Sequence, residues 1–253
     1  MPVIVIFGHS HALAVKNALK HWNSSKVEFE IPVSGTKEFP GRLIYKHGKQ
    51  KVRPSPIVTS IINRYSKQTY SEDTWLVSMA HGNYYNQFGM FAENRIFDFV
   101  FDELPQLGLE PGADYLPYNS VKAALENSMT PLKSYVPAMA KSYFGNRFII
   151  VGPPPPVGDD ELVAKRIQTG QENLRVTPKA VRLKLWYLQN KIAKSYCDNA
   201  GIHYFNGAVD GTFDKDGFLL DEQVKDCVHG NHIYGQKLLE SLQNYVLNIK
   251  ANK

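Results

Sequence analysis

Five apolar residues, Val3-Ile4-Val5-Ile6-Phe7, stand near the start of the chain and stop at Gly8. A short, β-branched run with no polar residue inside it suits a strand buried on both faces, because a strand with one wet face alternates instead. His9, Ser10 and His11 follow, and Ala12 to Trp22 then carries helical spacing. A β-loop-α opening of this kind points to an α/β protein, since parallel strands must be joined by crossovers, usually helical.

The same rhythm recurs along the sequence. Strands are expected at Val27 to Val33, Thr74 to Ala80, Arg147 to Val151 and His203 to Phe205. Helices are expected at Ile57 to Tyr70, within Ser120 to Phe144, at Thr177 to Ala200 and at Ile233 to Ile249. The pattern implies one domain over residues 1–253, a three-layer α/β/α sandwich around a mainly parallel sheet of about five strands. Ligands in such sheets bind beyond the carboxyl ends of the strands, which directs attention to the loops after Phe7, Val33, Ala80 and Val151. Two stretches depart from the rhythm. Residues 84–118 form an aromatic-rich insertion punctuated by Pro105, Pro111, Gly112 and Pro117, which either covers a cleft or packs as a satellite core. Gly152-Pro153-Pro154-Pro155-Pro156 lacks donors at four successive positions and must run as a stiff, extended loop.

Composition narrows the function classes. The chain has 29 basic and 24 acidic residues, spread without a dense Lys/Arg block, so a nucleic-acid partner is not expected. Cys197 and Cys227 are the two cysteines, far apart and without metal-ligand spacing, which argues against a disulfide framework or a zinc knuckle. The first residues have no positive segment, adequate apolar run or small-residue cleavage site, and no later stretch is long enough to span a bilayer. A cytoplasmic location is the expectation. His9, His11, His81, His229 and His232 are numerous, yet no carboxylate or cysteine stands near them at zinc-site spacing, and no metal or cofactor is expected.

Ser10 falls where a helix begins, beside backbone N–H groups and the positive end of the helix dipole, a favourable place for an oxyanion to form. A serine there is also an ordinary N-cap. Asp226-Cys227-Val228-His229-Gly230-Asn231-His232 precedes the last helix, and an Asp three residues before a His can hold the imidazole tautomer that accepts a serine proton. Cys227 between them reads as an inert thiol, and His232, six residues from Asp226, as a helix-start residue.

Four separated segments together resemble the blocks of the SGNH (GDSL-like) hydrolases, in order and at successive strand exits. Gly8-His9-Ser10-His11 resembles the first block, usually Gly-Asp-Ser, and Val33-Ser34-Gly35 the glycine block. His81-Gly82-Asn83 resembles the Gly-x-Asn block, and Asp226 to His229 the Asp-x-x-His block. The resemblance implies that Ser10 is the nucleophile, His229 the base and Asp226 its orienting acid. It further implies that the Ser10 and Gly35 backbone N–H groups and the Asn83 side chain form the oxyanion hole, with Asn86 the alternative to Asn83. His81, Tyr84 and Tyr85 are the candidate substrate contacts. The sequence departs from the family at His9, which replaces an Asp thought to support the loop, at His81 and at Gly230.

The activity implied is ester hydrolysis through an acyl-serine intermediate. Thr177-Pro178 with Arg182, Lys184, Leu185 and Trp186, the proline run and the Asp-x-x-His-Gly-Asn-His-x-Tyr-Gly ending resemble bacterial members linked to polysaccharide biosynthesis. That resemblance implies a small-molecule or carbohydrate ester, foremost an O-acetyl group on a sugar. Acyl transfer to a sugar hydroxyl and a catalytically silent carbohydrate-binding protein are the alternatives.

Overall fold

The computed structural model describes residues 1–251 apart from 36, 38, 40–42, 48–50, 68–72, 94, 168–170 and 172. Its centre is a five-stranded sheet of β1 (Val3–Gly8), β2 (Glu28–Ser34), β3 (Thr74–Met79), β4 (Phe148–Val151) and β5 (His203–Phe205). The strand order is β5-β4-β3-β1-β2 and every pairing is parallel. β1 alternates sides as a doubly covered strand must. Val5 and Phe7 enter one core while Ile4 and Ile6 enter the other.

On the first face lie α2 (Pro56–Tyr65), α4 (Tyr118–Ser128), α5 (Thr130–Ala140) and α7 (Lys179–Ala200). On the second lie α1 (Ala12–Leu19) and α8 (His232–Ala251). The protein is thus a three-layer α/β/α sandwich with a parallel five-stranded sheet. β2 is an edge strand, which accommodates Pro32. α2 starts where Ser55 accepts from Val58 N at 3.4 Å and Pro56 takes the first turn, and it ends at Tyr65. Residues 68–70 of the expected helix lie outside the described residues.

The chain leaves β1 for β2 on one side and then crosses to β3 on the other. This makes the β1–β3 boundary a topological switch point, where loops diverge and leave a crevice. The close approach of the two strand ends explains Gly8: a Cβ there would lie 2.6 Å from the Met79 carbonyl, far inside van der Waals contact.

The proline run is buried and pinned. Trp186 Nε1 donates to Pro153 O at 3.2 Å, and Leu219 N to Pro156 O at 3.0 Å. Arg182 and Lys184, on the opening turns of α7, are buried too. Arg182 donates to Val157 O at 2.8 Å and Asp160 Oδ1 at 2.8 Å, and Lys184 reaches both oxygens of Asp98 at 2.9 Å. These residues are struts under the loops, away from the switch-point crevice.

Residues 84–118 fold back onto the first core. Phe99, Phe101 and Leu104 are buried there, and short ladders pair Phe91–Ala92 with Arg175–Val176 and Phe97–Asp98 with Asp114–Tyr115. Tyr84 and Tyr85 belong to the same core, for the reason given below.

Candidate active site

Ser10 sits in the tight turn between β1 and α1, held by Ala12 N donating to His9 O at 3.0 Å and Leu13 N to Ser10 O at 3.2 Å. The turn is anchored to β3 by His9 N donating to Met79 O at 3.3 Å. His229 comes from the opposite end of the chain. The strands Val224–Asp226 and His229–Gly230 form a small antiparallel ladder that turns back at Asp226 and presents His229 over the first loop. Asn231 then caps α8, its Oδ1 accepting from Ile233 N at 2.8 Å.

The structure brings the three together. His229 Nε2 lies 2.7 Å from Ser10 Oγ, and His229 Nδ1 lies 2.8 and 2.9 Å from the two oxygens of Asp226. Asp226 Oδ1 also accepts from Val228 N at 3.0 Å and His229 N at 3.1 Å. Partial burial alone would raise the Asp226 pKa. The hydrogen bonds from the His229 ring and the two amides outweigh burial and draw it down to about 2. The carboxylate is therefore charged at neutral pH and accepts the Nδ1 proton, leaving Nε2 free to take one from Ser10.

The other expected site residues divide. Asn83 occupies the N-cap position of α3 (Tyr84–Gly89) without using its side chain as a cap. That side chain turns instead toward the crevice, where Nδ2 donates to Val228 O at 3.4 Å and Oδ1 is buried without a partner. Asn86, one turn on, lines the same crevice. Gly35 adopts φ +86°, a left-handed conformation that favours glycine, but its N–H donates to Gly8 O and His9 O, both at 3.2 Å. In this arrangement the Gly35 N–H braces the serine loop and is already engaged.

His81, Tyr84 and Tyr85 do not line the crevice. His81 is 2 % exposed, and burial lowers its pKa to about 4. Helical geometry decides the tyrosines: α3 points 84 and 85 into the core, where Tyr85 N donates to Gln189 Oε1 at 2.7 Å. The same turn carries Asn86, Gln87 and Met90 to the wall of the crevice, and Phe91 joins them. Phe91 was expected either to line the pocket or to join the core, whereas sequence reasoning missed Gln87 and Met90, which helical spacing counted from Asn83 would have found.

His9 stands beside the serine, with Nδ1 3.4 Å from Ser10 Oγ. His11 is buried under the His229 ring. Arg166 closes the crevice opposite α3, its Nη1 donating to Cys227 Sγ at 3.6 Å. Cys197 and Cys227 are both free thiols. Among the described residues, no group of three or more His, Cys, Asp or Glu side chains is arranged to hold a metal ion. No described helix is long and apolar enough to cross a membrane.

Residues of all four blocks meet at the carboxyl edge of a parallel sheet in the flavodoxin-like order. No family model and no curated protein matches the chain. Among solved structures it is similar to a lipopolysaccharide acetyltransferase periplasmic domain from Salmonella ser. Paratyphi A, at 16% identity over 97% of this chain and 83% of that one, with a TM-score of 0.48. It is also similar to a carbohydrate acetylesterase from Sinorhizobium meliloti, at 11% identity over 98% and 100% of the two chains, with a TM-score of 0.43. A third is the aryl esterase of M. smegmatis, at 11% identity over 98% and 99%, with a TM-score of 0.43.

Proposed function

We propose that this chain is a serine esterase that acts through an acyl-serine intermediate on Ser10. The observation that carries the reading is the continuous chain from Ser10 Oγ through His229 to Asp226, with links of 2.7 and 2.8 Å. These distances suit proton transfer from the hydroxyl to the ring. His229 Nε2 takes the Ser10 proton as Oγ bonds to the ester carbon. The carbonyl oxygen becomes an oxyanion, for which the Ser10 N–H and the Asn83 carboxamide are the donors at hand. His229 then returns the proton to the departing alcohol as the ester C–O bond breaks. A water, deprotonated by the same ring, releases the acid.

The preferred substrate is an O-acetyl group on a carbohydrate. The crevice beside Ser10 has a volume of about 530 Å³ and is lined by Asn83, Asn86, Gln87 and Arg166, with Met90 and Phe91 as its apolar part. Carboxamides and a guanidinium match a hydroxyl-rich alcohol, whereas a long acyl chain requires a continuous apolar channel. Ser10 and His229 are both partly exposed, so water can reach the acyl-serine. This favours hydrolysis over transfer, which depends on keeping water out.

The decisive experiment traps the serine with a fluorophosphonate and locates the modified peptide. Label on Ser10, with loss of acetyl-ester hydrolysis in a folded Ser10→Ala variant, is the expected result. Full activity in Ser10→Ala would overturn the proposal.

A further inference from the structure

Two hollows flank Ser10. One is the crevice just described; the other, of about 370 Å³, runs from Ser10 along α1 toward Lys20 and is closed on its far side by Lys225 and His232. Ser10, Ala14, Asn17 and His21 follow one another at helical spacing, so this second hollow follows a single face of α1. Lys20 lies about ten residues beyond the serine, on the order of 12–15 Å along a largely helical path.

Among the described residues every ordinarily charged side chain lining the two hollows is basic: Arg166 in the first, Lys20 and Lys225 in the second. Among the described residues neither lining includes an Asp or Glu, although the chain holds 24 acidic residues against 29 basic ones. The Asp226 carboxylate, adjacent in sequence to Lys225, is committed to His229 and two backbone amides. Elsewhere Arg95, Arg182, Lys184, Lys191 and Lys250 each meet a carboxylate, while Lys26, Lys133, Lys165 and Lys179 meet none among the described residues. Among the described residues Arg166, Lys20 and Lys225 meet none, and the side-chain partner of Arg166 is Cys227 Sγ. Arg166 is also held in place. It follows the short helix α6 (Asp160–Ala164), which is capped by Asp159 accepting from Glu161 N and Leu162 N and tied to α7 through the Arg182–Asp160 ion pair.

We infer that the ester taken by this site belongs to an anionic carbohydrate, with negative groups on both sides of the acylated position: one at Arg166, the other at Lys20 and Lys225. The inference rests on the esterase reading above and specifies its substrate. The shared chemistry is an anionic oxygen cluster, supplied either by the carboxylate of a uronic acid or by a phosphate ester. A guanidinium suits both, since its planar fork pairs with two oxygens at once. A cation about 12–15 Å beyond Ser10 on one side, with Arg166 in the hollow on the other, requires an oligosaccharide rather than a single sugar.

The test compares acetate release from acetylated maltotriose, acetylated trigalacturonate and acetylated maltotriose phosphate. At low ionic strength kcat/KM on at least one anionic ester should exceed that on the neutral one by about tenfold, and the advantage should shrink with added salt. Arg166→Gln and the Lys20→Gln/Lys225→Gln pair should each lower the anionic-to-neutral ratio by about fivefold, the scale of a partly exposed ion pair. Whichever anionic ester leads identifies the source of charge. A wild-type ratio near one, or a ratio untouched by the substitutions in proteins of unchanged Tm, overturns this inference alone. Acetate release that persists in Ser10→Ala overturns the esterase reading instead. Recognition has a readout apart from turnover: unacetylated trigalacturonate or maltotriose phosphate should slow labelling of Ser10 by a neutral fluorophosphonate more than maltotriose does. Equal protection by all three also overturns it.

Discussion

The His11 imidazole lies against the His229 ring, with centroids 4.9 Å apart and planes tilted by 50°. Burial first, and then the neighbouring His229 and His81 rings, push the His11 pKa down to about 3 against a smaller opposing effect of the Asn83 side chain. His11 is thus neutral across the physiological range, and an imidazolium forming on His229 faces no second cation there. Replacement by a neutral ring, His11→Phe, should keep the acidic limb of the kcat/KM profile where it is. His11→Ala should leave the His229 ring less confined and lower kcat by about tenfold. A limb that moves or vanishes in His11→Phe would show that His11 itself titrates in the reaction.

Acid stability follows from the same burial. His11 and His81 have folded pKa values of about 3 and about 4 against an ordinary 6.5, so between those values the unfolded chain binds protons that the folded one refuses. Their contribution is therefore complete above pH 6.5 and declines as pH falls toward 4 and then 3. Each adds a slope of up to about 1.4 kcal/mol per pH unit in that window. Denaturant titrations at pH 7, 6 and 5 should show falling stability, and His81→Asn should flatten the decline. A pH-independent midpoint over this range would contradict the burial of both rings.

The Lys184–Asp98 pair is a buried ion pair on which the fold's stability depends. Both side chains are within 1 % of full burial, and Asp98 also accepts from Phe99 N and Glu110 N at 2.7 Å. Lys184 donates further to Phe99 O at 3.2 Å and Gly108 O at 2.9 Å, so one ammonium fixes two stretches of the 97–110 segment on α7. Lys184→Met leaves a buried carboxylate without its cation and should cost about 3–5 kcal/mol. The double variant Lys184→Met/Asp98→Asn should recover part of that loss, because no uncompensated charge remains. Thermal melts of the two proteins check it, and equal Tm values would deny the coupling.

The parallel five-stranded sheet could be read in advance because its signals are local. Val3 to Phe7 and Phe148 to Val151 are apolar runs with abrupt ends, and β-branched burial leaves few other uses for them. The hairpin of Ile44–His47 and Lys51–Pro54 was not legible: its lysines and histidine carry no period-two alternation. The inward turn of Tyr84 and Tyr85 was hidden for another reason. A single six-residue helix, α3, sets which way they point, and six residues are too few to establish a period. Gly35 was expected to offer its N–H to the oxyanion, and the direction of that N–H depends on the tertiary approach of Gly8 and His9. Burial of Lys184 contradicts every surface expectation for lysine and is explained only by Asp98, 86 positions away.

Placement of the aromatic segment separates residues that support the crevice from residues that meet the substrate. Tyr85 is 2 % exposed and packs in the first core, whereas Gln87 and Phe91 line the crevice wall. Tyr85→Ala removes a large buried ring and should lower stability by about 3–5 kcal/mol, as other buried aromatic truncations do. Its kcat/KM should then fall by a similar factor on a minimal acetyl ester and on a bulky one, because the defect is in the support beneath both. Phe91→Ala should behave differently. It removes contact only from a substrate large enough to reach the wall, so it should reduce kcat/KM on the bulky ester several-fold more than on the acetyl ester, with a smaller change in Tm. Tyr85→Ala acting selectively on the bulky ester, with Phe91→Ala indifferent to ester size, would reverse these two roles.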